Sequence, residues 1–327
     1  MRKIALSIAA LGLAFAPLLF AAPAHAQATR TWVSGVGDDA NPCSRTAPCK
    51  TYAGAISKTA VNGEINCLDP GGFGTLTITK SISVVCDYTE GGVLSAGVNG
   101  FIVSAPAGSI VTLKGQDIEC IGTGLNGIEM INVGVVLHIH KTQIRNCRAS
   151  GGSNGNGILV ANSSGLAQVL VADSYITDNG GTISNAGLLI KPTGGAGANV
   201  SVNRVQFEAN TNGIFMDGSG GGGTANLNVK DSVMSASSNS GVGLSSSGGA
   251  NSAVVTGSTM SFNLNSGAAA AGAQASLRLG SNTISNNGTG VSNVGATVQS
   301  FKNNQIVGNG TDGTPLAPVN SGGLILN

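Results

Sequence analysis

Apolar and polar residues alternate along most of the chain after residue 60, where helical periodicity is nearly absent. One arrangement recurs: an alternating apolar pair is followed, five residues after its second member, by another apolar residue. We call the second members marker residues, and they are Leu113, Ile139, Val171, Val202, Val229, Val255, Leu279 and Phe301. The residues five positions later are Ile118, Ile144, Ile176, Phe207, Met234, Met260, Ile284 and Ile306. A period of two predicts short β-strands with one apolar face.

The markers are 22–32 residues apart, and a Gly followed by a small or apolar residue recurs once in each unit. These dipeptides are Gly127-Ile128, Gly157-Ile158, Gly187-Leu188, Gly213-Ile214, Gly241-Val242, Gly267-Ala268 and Gly290-Val291, and Gly323-Leu324 is a candidate for the eighth unit. Each unit thus holds about three short strands. A unit of this size cannot bury its apolar face alone, whereas stacked units build one continuous core. The sequence predicts an all-β fold, a parallel β-helix whose markers touch between coils.

A column of asparagines accompanies the markers. Eight residues after each marker stand Ile121, Cys147, Asn179, Asn210, Ser237, Asn263, Asn287 and Asn309. Coils lie ~4.8 Å apart, so stacked amides can hydrogen-bond to one another, as in the Asn ladders of cross-β assemblies. Asn also tolerates the left-handed backbone conformation, and we therefore expect this column to form the corner of each coil.

The first residues are typical of export. A basic start, an apolar run from Ile4 to Ala22 and the small-x-small triplet Ala24-His25-Ala26 predict a signal peptide over residues 1–26. An uncleaved membrane anchor is the alternative, since the run approaches spanning length. We favour cleavage because Pro17 and Pro23 interrupt the run.

We divide the rest of the chain at residue 63. Residues 27–63 are predicted to hold a disulfide-closed loop at Pro42–Pro48 and a short amphipathic helix over Lys50–Ala60, and residues 64–327 the β-helix. An open end of a β-helix exposes strand edges and core, and such a helix is suited to cap it. The apolar side of this helix carries Tyr52, Ala55 and Ile56.

All six cysteines lie in the first half of the chain: Cys43, Cys49, Cys67, Cys86, Cys120 and Cys147. Six cysteines allow 15 pairings. Order along the chain favours Cys43–Cys49, Cys67–Cys86 and Cys120–Cys147. Zinc binding is the alternative, and we disfavour it because the chain has no C-x2-C pair and its predicted compartment is oxidising.

Composition excludes several classes. Charged residues make up 9% of the chain and the formal net charge is +1, whereas an average soluble domain is about 25% charged. This charge offers no electrostatic basis for binding nucleic acid or, once the signal peptide is removed, a membrane. The chain has 51 Gly but 9 Pro and no three-residue period, which excludes collagen.

Two segments, GDDANPCSRTAPCKTYAGAI and GGFGTLTITKSISV, resemble the start of uncharacterised secreted bacterial members of the pectin-lyase-like superfamily. The pattern V-x-x-S-x-I-x-x-N, seen in Val171–Asn179, is typical of the coils of that superfamily. The resemblance covers roughly residues 30–327 and implies a right-handed parallel β-helix solenoid. The superfamily includes pectate lyases, polygalacturonases, other polysaccharide-acting enzymes and non-enzymatic surface or tail proteins. The resemblance is therefore informative about fold and weak about function.

The catalytic motifs of these relatives are not matched. Polygalacturonase-like members use an N-T-D segment followed by an Asp-Asp pair, and the only Asp-Asp of this sequence, Asp38-Asp39, has no N-T-D before it. Lyase-like members use clustered carboxylates for Ca²⁺ together with a basic residue. The sequence shows no carboxylate cluster, and no pair can be assigned for hydrolysis. We expect no metal and no cofactor.

The strongest candidate site is a charged column. Two residues after the markers stand Gly115, Lys141, Asp173, Arg204, Asp231, Gly257, Ser281 and Asn303, so four consecutive coils place Lys141, Asp173, Arg204 and Asp231 in one outward column. This column could grip an acidic sugar through Arg204 or Lys141. The alternative is a structural charge ladder, worth ~0.2–1 kcal/mol per pair. We favour the ladder because alternating signs leave no net field for an anionic ligand.

His138 and His140 point outward from one strand and could begin a metal site. A third ligand is missing, because the neighbouring positions are predicted to be Thr112, Lys114, Leu170 and Ala172. Glu129 and Glu208 are expected to be isolated and solvated.

The first functional hypothesis is an exported protein, periplasmic, secreted or at the cell surface, with a structural or polysaccharide-binding role and no catalysis. The second is a polysaccharide lyase or glycoside hydrolase acting on acidic polysaccharide. The residues leave the choice open, and we favour the first. The C-terminal coil has no evident cap and could associate with a second chain.

Overall fold

The computed structural model describes residues 27–313 and 315–319, which form a right-handed parallel β-helix with one short helix. Each coil passes through three parallel sheets, which we name A, B and C in that order. Apart from the two end strands of each sheet, every strand pairs with the strands one coil earlier and one coil later in its own sheet. The predicted fold class is confirmed, whereas the predicted signal peptide over residues 1–26 and Gly323-Leu324 lie outside the described residues.

The strands are short and carry one inward-facing apolar side. Sheet A contains β1 Ala28–Val33, β2 Thr59–Cys67, β5 Ile82–Val85, β8 Ile110–Lys114, β11 Val136–His140, β14 Leu166–Ala172, β17 Gly197–Asn203, β20 Thr224–Lys230, β23 Asn251–Thr256, β26 Ala275–Gly280, β29 Thr297–Ser300 and β32 Ala317–Pro318. Sheet B contains β3 Gly71–Gly72, β6 Gly91–Leu94, β9 Gln116–Glu119, β12 Gln143–Arg145, β15 Tyr175–Thr177, β18 Gln206–Glu208, β21 Val233–Ser235, β24 Thr259–Ser261, β27 Thr283–Ser285 and β30 Gln305–Val307. Sheet C contains β4 Leu76–Ile78, β7 Phe101–Val103, β10 Asn126–Val133, β13 Asn156–Ser164, β16 Leu188–Ile190, β19 Ile214–Asp217, β22 Ser240–Ser245, β25 Ser266–Ala271, β28 Thr289–Val294 and β31 Thr311–Gly313.

The markers stack as predicted along sheet A. Val171 is paired with Val202, and Val202 with Val229. All three side chains are at most 1% exposed. The marker residues of successive coils therefore form one vertical column in the core.

The predicted position of the last marker, Phe301, is wrong by one residue. Leu279 pairs with Ser300, and Phe301 lies just beyond the end of β29 with 37% of its surface exposed. The cause is the alternation itself, because Val298 takes the preceding inward position and places Ser300, not Phe301, on the core side. Sheet B regains the predicted register, since Ile284 pairs with Ile306.

The asparagine column forms a buried ladder but does not make the corner. Asn179 Nδ2 donates to Asn210 Oδ1 at 3.0 Å, and Asn210 Nδ2 donates to the Ile176 carbonyl at 2.9 Å. Positive φ angles fall one residue before the column, at Asn146, Asp178, Ala209, Ala236, Phe262 and Asn286. The expectation that the asparagines adopt the left-handed conformation is therefore wrong. The amide must point inward to reach its stacked partners, and the preceding residue makes the turn.

Glycine at the start of the sheet C strands allows sheets B and C to pack closely. A Cβ atom on Gly157 would lie 2.7 Å from Ile176 Cγ2 and 2.6 Å from the carbonyl oxygen of Gly187. Such distances are not tolerated in a close-packed interior. The recurring Gly-apolar dipeptides are therefore a packing requirement of the coil.

The predicted helix is present but shorter. Helix α1 spans Tyr52–Lys58, where Lys50–Ala60 was expected, because Thr51 is its N-cap and Thr59 is already extended. The Thr51 hydroxyl accepts a hydrogen bond from the Gly54 amide at 2.9 Å, a regular N-cap contact.

Helix α1 covers the apolar end of the solenoid. Tyr52 and Ala55 are fully buried, and the Tyr52 ring centroid lies 5.3 Å from that of Phe73 and 5.8 Å from that of Phe101. Strand β1 hydrogen-bonds to β2 in sheet A, so sheet A continues across the predicted division at residue 63. That division stays a prediction.

Three disulfides tie the first coils together. They join Cys43 to Cys49, Cys67 to Cys86 and Cys120 to Cys147, the pairs that chain order favoured. The first closes the predicted loop before α1, and the other two link adjacent coils.

Candidate functional site

The charged column lies at the corner between sheets A and B. Lys141, Asp173, Arg204 and Asp231 each follow the last residue of a sheet A strand, and their φ angles are 47°, 52°, 52° and 50°. This left-handed conformation is uncommon outside Gly and is most often tolerated by Asn and Asp. All four residues are exposed. The structure therefore places the four candidates in one outward column.

Only part of the column is an ion-pair ladder. Arg204 Nε and Nη2 lie 2.7 Å and 3.0 Å from Asp173 Oδ1 and Oδ2. The Arg204 guanidinium, hydrogen-bonded to Asp173, holds the pKa of that carboxyl below its usual value. Within the described residues Lys141 has no carboxylate oxygen within 4.0 Å, and Asp231 Oδ2 lies 3.9 Å from Nζ of Lys230. The predicted series of alternating ion pairs is therefore reduced to one bidentate pair, between Arg204 and Asp173.

A shallow depression of about 400 Å³ brings three of the four candidates together. Its lining includes Lys141, Asp173 and Arg204 with the sheet B residues Gln143, Tyr175 and Gln206. Asp231 does not line it. Because Asp173 already occupies the guanidinium of Arg204, Lys141 is the cation in this depression that can meet an anionic ligand directly.

A larger groove of about 700 Å³ runs across the outer face of sheet A from β11 to β23. One row of its lining pairs Val136, Gln168, Asn199, Asn226 and Ser252 along successive coils. The next row pairs His138, Leu170, Ser201, Asn228 and Val254. Asn226 Nδ2 donates to Asn199 Oδ1 at 3.0 Å. In the first of these rows amide and hydroxyl groups thus repeat at the coil spacing from Gln168 to Ser252, over a length of about 14 Å.

This groove was not predicted from the sequence, although the signal was present. The period-two alternation that buries Val169, Val200 and Leu227 also turns their strand neighbours outward. The concave arrangement of those outward rows depends on how the strands curve, which the alternation does not specify.

The outer face of sheet A carries cations without acids on its central strands. Strands β8, β11, β14, β17, β20, β23 and β26 contain Lys114, Lys230 and Arg278 among their outward residues and no Asp or Glu. Lys114 is paired with Asp87, which lies in the loop after β5. The face therefore presents Lys230 and Arg278 beside an otherwise uncharged polar groove.

The two histidines lie where the sequence placed them. His138 pairs with Thr112 and Leu170 on the neighbouring strands of sheet A. The ring centroids of His138 and His140 are 6.2 Å apart. Burial, followed by the neighbouring His138, lowers the pKa of His140. The described residues contain no group of three or more His, Cys, Asp or Glu side chains that could hold a metal ion.

A charged cluster on sheet B was missed. Arg145 Nε lies 2.6 Å from Glu119 Oε2, and its Nη atoms hydrogen-bond to both carboxylate oxygens of Asp117. Two carboxylates and one cation meet here, a group that the sequence analysis did not identify. The signal was the predicted stacking of Ile118 on Ile144, because residues beside two stacked positions must also be neighbours.

The only Asp-Asp pair has a structural role. Asp39 accepts hydrogen bonds from the amides of Lys50 and Thr51 at 2.8 Å and 2.9 Å and from Thr51 Oγ1 at 2.7 Å. Burial opposes ionisation of Asp39, but the hydrogen bonds from Thr51 and Lys50 outweigh it and lower the pKa. Asp39 thus anchors the N-terminal loop to the start of α1.

Two glutamates expected to be solvated have partners. Glu129 is half-buried on sheet C and accepts a hydrogen bond from Asn99 Nδ2 at 2.7 Å, and burial raises its pKa. Glu208 accepts a hydrogen bond from the hydroxyl of Tyr175 at 2.7 Å. Neither carboxylate is isolated, because stacking brings the neighbouring coil within reach of each, but Glu208 is exposed to solvent as expected.

Fold and site together define the class of protein: a disulfide-linked, right-handed parallel β-helix with a polar groove on its longest sheet. The chain matches no protein-family model and no curated protein sequence. Among solved structures it is similar to the crystal structure of pectate lyase Pel9A, with a TM-score of 0.51 and 16% identity over 83% of this chain and 74% of that chain. At this identity the likeness shows the fold alone. The predicted parallel β-helix fold is thus confirmed.

Proposed function

We propose that the protein is an exported β-helix that binds a polysaccharide along the outer face of sheet A without cleaving it. The groove from β11 to β23 is the observation that carries this proposal. A repeating row of amides and hydroxyls suits a repeating ligand rich in hydroxyl groups. Ligand sites combine apolar surface with polar groups that fix the orientation of the ligand, and here Leu170 and Val254 supply apolar surface beside the polar row.

The engagement of the carboxylates favours a non-catalytic role. Asp117 and Glu119 share Arg145, Asp173 is held by Arg204, and Asp39 anchors the loop before α1. A general acid or base must be able to exchange a proton with the substrate. These carboxylates instead accept hydrogen bonds from cations and backbone amides that stabilise their charged form.

The alternative function is a lyase or glycoside hydrolase that acts on acidic polysaccharide. Two observations favour it: the fold similarity to a pectate lyase, and the positions of Asp117 and Glu119 two residues apart on β9. Side chains at this spacing on one strand face are about 7 Å apart, which is near the separation used by inverting hydrolases, about 6.5–9.5 Å. Arg145 would have to move away for such a pair to act.

Export is supported by the three disulfides, because such bonds persist in oxidising compartments. No helix of the described residues is long and apolar enough to cross a membrane. We propose that the protein belongs to a secreted branch of the superfamily and acts in the periplasm, at the cell surface or outside the cell. We also propose, as the sequence suggested, that the last coil can associate with a second copy and that neither nucleic acid nor membrane is a partner.

A glycan array probed with the protein tests the main proposal, paired with a product-release assay on polygalacturonate and other acidic polysaccharides. We expect at least one array glycan to bind, and Asn199→Ala/Asn226→Ala to weaken that binding at least tenfold. Thr259→Ala, on the outer face of sheet B, is the matched control and should bind like the wild type.

Release of product from any uronate polymer would contradict the non-catalytic role. Activity that disappears in Asp117→Asn or Glu119→Gln would then assign the reaction to the sheet B cluster. Binding that is unchanged in Asn199→Ala/Asn226→Ala would instead indicate that the ligand lies outside the groove.

A further inference from the structure

The turn between β24 and β25 carries an exposed apolar pair. Phe262 and Leu264 are 63% and 73% exposed, on either side of Asn263, which is 1% exposed. Asn263 belongs to the buried ladder, since its Nδ2 donates to Asn287 Oδ1 at 2.8 Å. Because the ladder holds Asn263 inward, both apolar neighbours are turned into solvent.

Phe262 occupies a backbone conformation that its side chain disfavours. Its φ angle is 59°, and the same corner is formed by Ala236 and Asn286 in the adjacent coils. A bulky residue at positive φ is an outlier, whereas Asn adopts this conformation readily. Strain of this kind clusters at functional sites, which makes the exposed Phe262 a candidate for one.

A groove of about 380 Å³ on the outer face of sheet C begins beside this turn. Its wall is a second amide ladder: Asn265 Nδ2 donates to Asn239 Oδ1 at 2.6 Å, and Asn239 Nδ2 donates to Asn212 Oδ1 at 2.8 Å. Phe215 also lines the groove. A Cβ on Gly243 would lie 2.9 Å from Phe215 Cδ2, so only glycine at this position leaves room for the ring against the sheet. Phe262 and Leu264 do not line this groove, but Asn265 directly follows Leu264 in the chain, so the apolar pair lies next to the end of the ladder.

This surface has almost no charge. Between Asp231 and Lys302 the sequence contains one charged residue, Arg278, and it lies on sheet A rather than at this corner. An anionic ligand would find no counter-charge here, and a charged protein partner no complement. A pyranose ring has an apolar face of C–H groups and a rim of hydroxyls, which match an aromatic platform and a row of amides respectively.

We propose that Phe262, Leu264 and the ladder Asn212–Asn239–Asn265 form a second binding surface for an uncharged polysaccharide. It is separate from the groove on sheet A, where Lys230 and Arg278 provide positive charge. The two surfaces lie on different sheets, so a substitution that abolishes binding at one should leave binding at the other unchanged.

The test measures depletion of the protein from solution by microcrystalline cellulose, chitin and insoluble β-1,3-glucan, with polygalacturonate as the charged comparison. We expect at least one neutral polysaccharide to bind, and the binding to be unchanged in 1 M NaCl because no ion pair is involved. Phe262→Asn/Leu264→Ser should bind at least tenfold more weakly while its melting temperature rises, since Asn relieves the left-handed strain. Ala236→Asn, at the same corner one coil earlier, should leave binding unchanged.

Three results would overturn the proposal. The first is that no neutral polysaccharide binds, and the second that the double variant binds like the wild type. The third is a wild-type dimer that Phe262→Asn/Leu264→Ser converts to a monomer in light scattering without any effect on a glycan, which would identify a second copy as the occupant. Asn199→Ala/Asn226→Ala serves as the cross-check, because it should alter binding to the sheet A groove only.

Discussion

The solenoid is held together differently on the two sides of Asp231. Up to that residue the described chain contains all three disulfides, helix α1 and every ion pair, including those of Arg145 and Arg204. After it the sequence has three charged residues, Arg278, Lys302 and Asp312, and no cysteine. Its coils are joined by buried amides, such as Asn263, Asn287 and Asn309.

The difference shows two ways to fix the register of stacked coils. Disulfides and long charged side chains reach between coils of unequal length, and the marker separations up to Val202 are 26, 32 and 31 residues. An amide ladder needs the same short side chain at the same position in each coil. The ladder also joins Asn179 to Asn210 in the first region, but among the described residues after Asp231 no disulfide or ion pair accompanies it, and stacked strands of sheets B and C begin 22 residues apart there.

Breaking a cross-link in the first region should have the largest effect. The Cys120–Cys147 disulfide closes a separation of 27 residues and Cys43–Cys49 one of 6. Loop-closure entropy predicts losses of about 3.5 kcal/mol for Cys120→Ala/Cys147→Ala and about 2 kcal/mol for Cys43→Ala/Cys49→Ala. Urea denaturation measures both, and equal losses would show that native-state contacts rather than chain entropy set the effect.

Removing one amide from the ladder should be nearly as severe. Asn263 accepts from the Ser237 amide at 3.0 Å and donates to Asn287 and to the Met234 carbonyl. Asn263→Ala leaves buried groups without partners and should destabilise by about 2–4 kcal/mol.

Hydrogen exchange shows where that loss occurs, because neighbouring coils of a solenoid can open locally. Protection should fall in β24 to β30 and persist in β9 to β15. Asn226→Ala, in an exposed amide pair on sheet A, is the control and should cost less than about 1 kcal/mol. Uniform loss of protection would mean that the two regions unfold as one unit.

A smaller effect is expected when an ion pair of the first region is broken. Arg145→Met leaves Asp117 and Glu119 facing each other, with side chains only 24% and 23% exposed, and should destabilise by about 1–2 kcal/mol. Arg148→Met removes the pair with Asp178, where both side chains are more than 45% exposed, and should change stability by about 0–1 kcal/mol. Similar values for the two variants would remove the distinction between the cluster and an ordinary surface pair.

The charged column should contribute still less. Asp173→Asn/Asp231→Asn is expected to lower stability by less than about 1 kcal/mol at pH 7, because the Asp173–Arg204 pair is exposed. The folded-state pKa of Asp173 is depressed, so its contribution is present above the unfolded value of about 3.9 and is lost as the pH falls through the lower folded value. Thermal unfolding at pH 7 and pH 2.5 measures this. An unchanged melting temperature at pH 7 with lost glycan binding would reject the structural interpretation of the column.

The smallest effect has the opposite sign. Burial raises the pKa of Glu129, so the native state binds its proton more tightly than the unfolded chain and stability declines as the pH rises through the folded value. Glu129→Gln keeps an acceptor for Asn99 and should be slightly more stable than the wild type at pH 7 and equal to it at pH 3. Lower stability of the variant at pH 7 would show that the Asn99 contact outweighs the burial of the charge.

Much of the architecture was determined by the sequence alone. A period of two with a constant offset of five specified which side chains face the core, and seven of the eight marker positions stack as predicted. The buried amide ladder followed from the same register, and the disulfide pairs followed from the order of the cysteines along the chain. These features are local or repeat at each coil, so one chain position predicts the next.

The tertiary structure determined the features that the register of the coils does not specify. The left-handed corner falls before the asparagines, Phe301 lies outside the core, and Arg145 turns towards two carboxylates rather than solvent. The physical reason is that alternation specifies only whether a side chain points in or out. The reach of a long side chain, the curvature that forms a groove and the turn that exposes Phe262 depend on contacts between coils that are distant in the sequence.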